Sequence, residues 1–133
     1  MNAFTLLLQD ANRSERLEQV SSFIGEDNSG SFGIRANHAR MMTALVTGLA
    51  RFRVAAGDWQ YLAMPGAVLY FCDNVLTLST RHYLRDDDYT RISTALQEQL
   101  LAEEEQLRST RESLRRMEES LLRRLWEMGR NGG

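Results

Sequence analysis

Between Ala67 and Met128 the chain holds neither glycine nor proline, whereas six of its nine glycines and its single proline lie within residues 1–66. These two residues punctuate a chain more strongly than any others, so the break separates two kinds of local structure. The aromatics follow the same division, with ten of the eleven in residues 1–89. The expectation is a turn-rich first domain, residues 1–85, and an uninterrupted second region, residues 86–133.

The first region reads as short strands separated by turn signals. "FTLLL" and "LEQVSSFI" are strand candidates, the second with apolar residues at Leu17, Val20 and Phe23. "GLARFRV" alternates Leu49, Phe52 and Val54 with Arg51 and Arg53. Gly57-Asp58 and Asp73-Asn74 each stand between β-favouring runs, and Asp and Asn tolerate the positive φ of a two-residue hairpin turn. Strands of this length with turns at this spacing predict an antiparallel β-sandwich or barrel.

The second region reads as helix. Asp86, Asp87 and Asp88 open it, where an N-cap and the helix dipole favour acids, and Gly129 stands where a C-terminal cap is expected. Leu100, Leu107, Leu114, Leu121 and Met128 recur every seven residues, widened by Leu96, Met117, Leu122, Leu125 and Trp126. Such a stripe packs on another helix. Residues 89–105 carry Arg91 against Glu98, Glu103, Glu104 and Glu105, while residues 106–130 carry seven arginines against four glutamates. The polar run Arg108 to Ser113 between them is rich in weak helix formers. Its position favours a helical hairpin, able to open, that lays the acidic half on the basic half; one long helical arm is the alternative.

Composition narrows the chemistry. The net charge is −2, and all 16 basic residues other than the two histidines are arginine. That balance does not describe a nucleic-acid surface. Cys72 is the only cysteine, which excludes an internal disulfide and suits a reducing compartment. The N-terminus lacks a basic, apolar leader, and the longest weakly polar run, "MMTALVTGLA", has ten residues where a membrane span needs about 20, so a soluble chain is expected. His38, His82 and Cys72 lack metal-ligand spacing, and no nucleophile elbow, phosphate loop or dinucleotide fingerprint is present. No catalytic residue, cofactor or metal is therefore assigned.

The stretch "GSFGIRANHARMMTAL" resembles the signature of the epsilon subunit of F-type rotary ATP synthases. Gly30, Phe32, Gly33, Ile34, His38, Ala39, Thr43, Ala44, Leu45 and Gly48 fall in register with it, and the similarity runs on through "DNVLTLST" into the helical tail. Ala36-Asn37 stands where the family has Pro-Gly, and Pro65-Gly66 where it has Gly-Gly. "SSFIGEDNSGSFGI" and "GLARFR" are similar to the divergent, second-operon type, some of which are thought to move sodium rather than protons.

The resemblance implies a non-catalytic rotor subunit that joins the gamma stalk to the membrane ring of c subunits. It is then peripheral to the cytoplasmic face of the cell inner membrane. Ser29, Gly30, Ser31, Phe32 and Gly33 become the ring-facing loop, and His38, Met42 and Thr43 the gamma-facing residues. An extended arm would reach the beta subunit of the catalytic head and restrain hydrolysis through Arg115, Arg116, Arg123 and Arg124. Some family members bind ATP through Ile/Leu-Asp-x-x-Arg-Ala; here Asp88-Tyr89-Thr90-Arg91 keeps the Asp and Arg, but Asp87 and Ile92 replace the flanks, so ATP binding is not expected. The heptad leucines leave a different class open, a soluble adaptor with a β-sandwich binding module and a homodimeric coiled-coil tail.

Overall fold

The computed structural model describes residues 2–131. Nine strands precede one helix: β1 (Phe4–Gln9), β2 (Ser14–Asp27), β3 (Gly30–Ile34), β4 (Met41–Leu45), β5 (Gly48–Val54), β6 (Trp59–Met64), β7 (Ala67–Cys72), β8 (Val75–Thr80), β9 (Leu84–Asp86) and α1 (Tyr89–Asn131). The strands form two leaves, β1-β8-β7-β4 and β3-β2-β5-β6-β9, joined through β2.

β2 belongs to both leaves because it bends. Its first half pairs with β1, from Gln9↔Ser14 to Phe4↔Val20, and its second half with β5 and β3. Both the β1 and the β5 ladders lose register beside the corner, where Gln19 takes a left-handed φ of 63°. A bulge of this kind adds local twist and lets one strand turn from one sheet into the other. Ala55, itself at φ 50°, closes the corner by donating its N–H to the Gln19 carbonyl at 2.7 Å.

The sandwich expected from the strand spacing is present, with one departure from antiparallel pairing: β1 runs parallel to β8, from Thr5↔Val75 to Gln9↔Ser79. β1 opposes β2 and β8 opposes β7, while β4 opposes both β2 and β7, so β1 and β8 run in the same direction. Asp73 and Asn74, at φ 51° and 58°, form the predicted two-residue hairpin turn. The β5–β6 turn is longer than Gly57-Asp58, spanning residues 55–58, and its left-handed residue is Ala55. At Pro65-Gly66 only glycine fits without strain, since Gly66 holds φ 140° with the Leu45 carbonyl 3.4 Å from where a Cβ would stand.

Alternation sends Phe4, Leu6 and Leu8 of β1 inward, to meet Phe23, Phe52, Leu62, Leu69, Phe71, Leu76 and Leu78. Phe4 meets Phe71 edge-to-face at 5.7 Å. Each fully buried side chain of this size contributes about 1.5–3 kcal/mol relative to exposure. Tyr83 caps this core with a polar tip: its hydroxyl donates to Glu15 at 2.5 Å, while the Arg13 guanidinium lies 4.0 Å from its ring and donates to its carbonyl at 2.6 Å. Burial and the adjoining Glu15 push the phenol up to about 12.

Asp88 caps the helix as predicted, accepting from the Arg91 N–H at 3.0 Å. The expected hairpin is replaced by one continuous helix of 43 residues. Ser109, Thr110 and Ser113 are weak formers, costing only tenths of a kcal/mol each relative to alanine, and nothing in the run breaks a helix. Arg108 also reaches Glu105 one turn back at 2.6–2.7 Å. The chain divides into one compact unit ending at Leu96 and a second beginning at Gln97. The first unit thus includes two helical turns, with Ile92 buried and Tyr89 edge-on to Tyr61 at 5.4 Å.

A chain cut after Leu96 is expected to unfold in one cooperative transition. Cutting after Arg85 instead removes the buried Ile92 and should lower stability by about 2 kcal/mol; denaturant titration of the two fragments measures the difference.

Candidate partner-binding site

One carboxylate organises the glycine-rich loop. Asp27, the last residue of β2, accepts from the Ser29 N–H at 2.9 Å, the Ser29 hydroxyl at 2.5 Å and the Thr43 hydroxyl at 2.7 Å. The Ser29 and Thr43 hydroxyls hold its carboxyl below the ordinary carboxylate range. Asp27 also faces Leu45 across the β2–β4 bridge, so the loop and β4 are joined at one point.

Of the expected Ser29–Gly33 loop only Ser29 lies in the turn; Gly30 to Gly33 form the start of β3, paired with β2 on one edge and with no strand on the other among the described residues. Ser29, Ser31 and Gly33 are exposed, and Gly30, at φ 121°, has no atom within 4 Å of where a Cβ would stand. A partner surface therefore meets backbone there without an intervening side chain. Phe32 differs from its neighbours: it is half-buried and packs against the core, fixing the loop from behind.

His38, Met42 and Thr43 are close in sequence but are not presented together. Met42 is 69% exposed, whereas Thr43 turns to the other face of β4 and is held by Asp27. His38 lies in the connection before β4, exposed, with its ring edge-on to Phe71 at 5.8 Å and its Nδ1 2.7 Å from the Ala39 carbonyl. The Ala36-Asn37 turn that leads to it is rigid without proline. Asn37 takes φ 65°, its N–H donates to the Asn74 side-chain oxygen at 2.6 Å, and the Asn74 amide donates back to Asn37 Oδ1 at 3.0 Å.

The register adds residues that motif matching missed. Met42 pairs with Tyr70 and Ala44 with Val68 on the outer face of β4 and β7, and Val68 is 46% exposed. Arg40 lies 5.6 Å from the Tyr70 ring. The signal was present in "AVLYFC", whose alternation puts Val68 and Tyr70 opposite the buried Leu69 and Phe71. Met42, Ala44, Val68 and Tyr70 form a weakly polar face of the kind that protein partners cover.

On α1, Arg115, Arg116, Arg123 and Arg124 are exposed and make no ion pair among the described residues. Arg116 and Arg123 stand about half a turn from Leu114 and Leu121. Leu107, Leu114, Leu121 and Met128 are 56–69% exposed, so both the apolar stripe and the cationic face are available. Arg91, by contrast, is engaged: it donates to both oxygens of Asp86 at 2.6 Å, which raises its own pKa and depresses that of the carboxyl. Among the described residues no group of acids, histidines or cysteine has the geometry of a metal site, and no helix is long and apolar enough to cross a membrane.

Comparison with known proteins bears on this arrangement. The family model described as ATP synthase, Delta/Epsilon chain, beta-sandwich domain matches residues 4–86. ATP synthase epsilon chain 2 of Cereibacter sphaeroides is 31% identical over 88 residues, covering 65% of this chain and 60% of that protein. The chloroplastic ATP synthase epsilon chain of Huperzia lucidula is 32% identical over 73 residues, 55% of this chain and 52% of its own. The matched part thus spans between half and three-fifths of these relatives. A chain of the Euglena gracilis mitochondrial ATP synthase shares the fold, with a TM-score of 0.60 at 18% identity over 74% of this chain and 64% of its own. A chain from the central stalk and c-ring of the Tetrahymena thermophila mitochondrial ATP synthase does so with a TM-score of 0.52 at 13% identity over 60% and 64%. With the nine-stranded sandwich accounting for the whole of the matched segment, the chain belongs to the ATP synthase delta/epsilon chain family.

Proposed function

We propose that this chain is the epsilon-type, non-catalytic rotor subunit of an F-type ATP synthase, peripheral to the cytoplasmic face of the inner membrane, where it joins the gamma stalk to the c ring. The observation that carries the reading is the family match over the entire sandwich, together with two separate binding features on that sandwich. One is Ser29–Gly33, the β2–β3 turn and the start of edge strand β3, suited to close backbone approach and assigned to the ring. The other is the Met42–Val68 face with His38 at its end, assigned to gamma; Thr43 supports it from behind through Asp27. A rotor joint must resist torque, and the Asp27 and Asn37–Asn74 hydrogen bonds stiffen the two features where they meet their partners.

The arm is assigned a regulatory role. Residues 97–131 span about 50 Å as helix, and Arg115, Arg116, Arg123 and Arg124 offer free guanidinium groups to carboxylates of the beta subunit. Each exposed pair contributes about 0.2–1 kcal/mol, a scale compatible with reversible engagement. The exposed heptad positions also favour a second reading, the adaptor with a coiled-coil tail. Sedimentation separates the two: a monomer supports the rotor subunit and a stable dimer the adaptor.

In the assembled complex, His38→Cys is expected to crosslink to gamma and Ser31→Cys to the polar loop of c, with mass spectrometry identifying the partner; free labelling of both cysteines contradicts the orientation. Deleting residues 109–133 should raise ATP hydrolysis with coupling intact. Charge reversal at the four arm arginines should mimic the deletion, and salt should weaken the restraint. Calorimetry is expected to show no saturable ATP binding at millimolar concentration, since Arg91 is held bidentately by Asp86.

A further inference from the structure

A concavity of about 550 Å³ opens on the outer face of β2 and β5, and its lining carries charge of one sign only. The residues are Ser21, Ser22, Arg35, Arg53, Trp59 and the small side chains around them, with no acid among them, on a chain whose net charge is −2. The two arginines are prepared differently. Arg53 is fixed by its own hairpin, donating Nε–H to the Gly57 carbonyl at 3.0 Å and an Nη2–H to that of Ala56 at 3.4 Å, with the Trp59 ring 5.3 Å away. Its Nη1 makes no hydrogen bond among the described residues. The Arg35 side chain makes no hydrogen bond or ion pair among the described residues, so its fork is available, while its carbonyl accepts from the His38 N–H at 3.2 Å. Ser22, opposite Arg53 in the ladder, is half-buried with its hydroxyl also unengaged.

Two left-handed turn residues shape the rim of this concavity. Ala55 and Asn37, both lining it, hold φ values of 50° and 65°. Ala55 is held by its bond to the Gln19 carbonyl and Asn37 by its bonds to Asn74, so the rim is fixed by the fold itself. The wall is also mixed: Trp59, Ala36, Ala55 and Ala56 lie beside the guanidinium groups. An aliphatic stem ending in a carboxylate matches it, the stem on the ring and the carboxylate on the free Arg35 fork. A small free anion would leave the apolar part of the lining, Trp59, Ala36, Ala55 and Ala56, without a partner.

From these observations we infer that the Arg35–Arg53–Trp59 concavity is a docking pocket for an acidic side chain of the stalk partner. The inference rests on the rotor-subunit reading, and position supports it: Ala36 and Asn37 line the pocket and belong to the turn that carries His38. The same short segment then places one face of its turn against the partner and closes the rim of the pocket that receives the partner's carboxylate.

Two measurements test it. In the full chain with Trp126→Phe, so that emission reports Trp59 alone, hexaglutamate should give a saturable fluorescence change at low salt. Hexaglutamine and inorganic phosphate should give none, and Arg35→Glu should abolish the hexaglutamate response. In the co-expressed complex, Arg35→Glu should weaken retention of the stalk partner by about tenfold or more and remove most of its salt dependence. Arg35 is exposed and its side chain makes no hydrogen bond or ion pair among the described residues; circular dichroism checks the fold of this variant and of Arg53→Gln, a second variant that should weaken both responses. If the wild-type chain captures no stalk partner, the rotor reading fails, and the fluorescence arm still judges the pocket. If the wild type assembles and Arg35→Glu binds equally well, the docking pocket is overturned while the rotor reading stands. A response to phosphate but not to hexaglutamate overturns it in favour of a small-anion site.

Discussion

The bend in β2 at Gln19 is the constraint on which the sandwich depends. A straight strand of 14 residues would belong to one sheet and leave the apolar face of the other uncovered. With the bend, Val20 faces Phe4 on one ladder and Val54 on the other, and the two leaves close over a shared core. The left-handed residue at the corner works against the backbone's own preference. It is held by the Ala55 hydrogen bond and by the ladders on either side, so the corner and the β5–β6 turn stabilise each other.

From that corner the molecule's polar features follow a common pattern. Each proposed contact surface is backed by a short hydrogen-bonded clasp between segments distant in sequence: Asp27 with Thr43 behind the glycine-rich loop, Asn37 with Asn74 behind the His38 turn, and Ser21 with Ala55 beside the arginine pocket. The Asn37–Asn74 clasp is the most informative. Where the family resemblance has proline and glycine, this chain supplies a left-handed asparagine and cross-links it to the neighbouring hairpin turn, so rigidity comes from tertiary contact in place of a restricted ring.

Beyond Leu96 the helix obeys different physics. Its side chains are mostly exposed, its leucine stripe is uncovered among the described residues, and its charges are segregated along its length. A helix of that kind draws its lasting stability from whatever it packs against, because propensity alone leaves an exposed helix marginal. The absence of glycine and proline before Gly129 explains why it is continuous, and Gly129 does not end it as a cap but lies within its last turn. The charge segregation that favoured a hairpin is a preference of a few exposed pairs, too small to create a turn where no residue breaks the helix.

Much was legible in the residues alone. The division into a turn-rich sandwich and a helical region, the Asp73-Asn74 hairpin and the aspartate cap are local consequences of period and turn chemistry, whereas in β5 the structure buries Ala50 and Phe52 and leaves the expected Val54 exposed. The signature around Gly30 to Gly48 pointed to the family because its glycines and small residues answer backbone demands that few sequences meet. What only the tertiary structure decided depends on partners far apart in the chain. The parallel β1–β8 edge follows from two hairpins related through β4, which opposes a strand of each, and the corner at Gln19 from ladders on both sides of it. Met42 and Thr43, adjacent and equally plausible as contact residues, part company because a strand sends neighbours to opposite faces. Which face met Asp27 and which met solvent was settled by the register of β4 against β2 and β7, and no property of the two side chains encodes it.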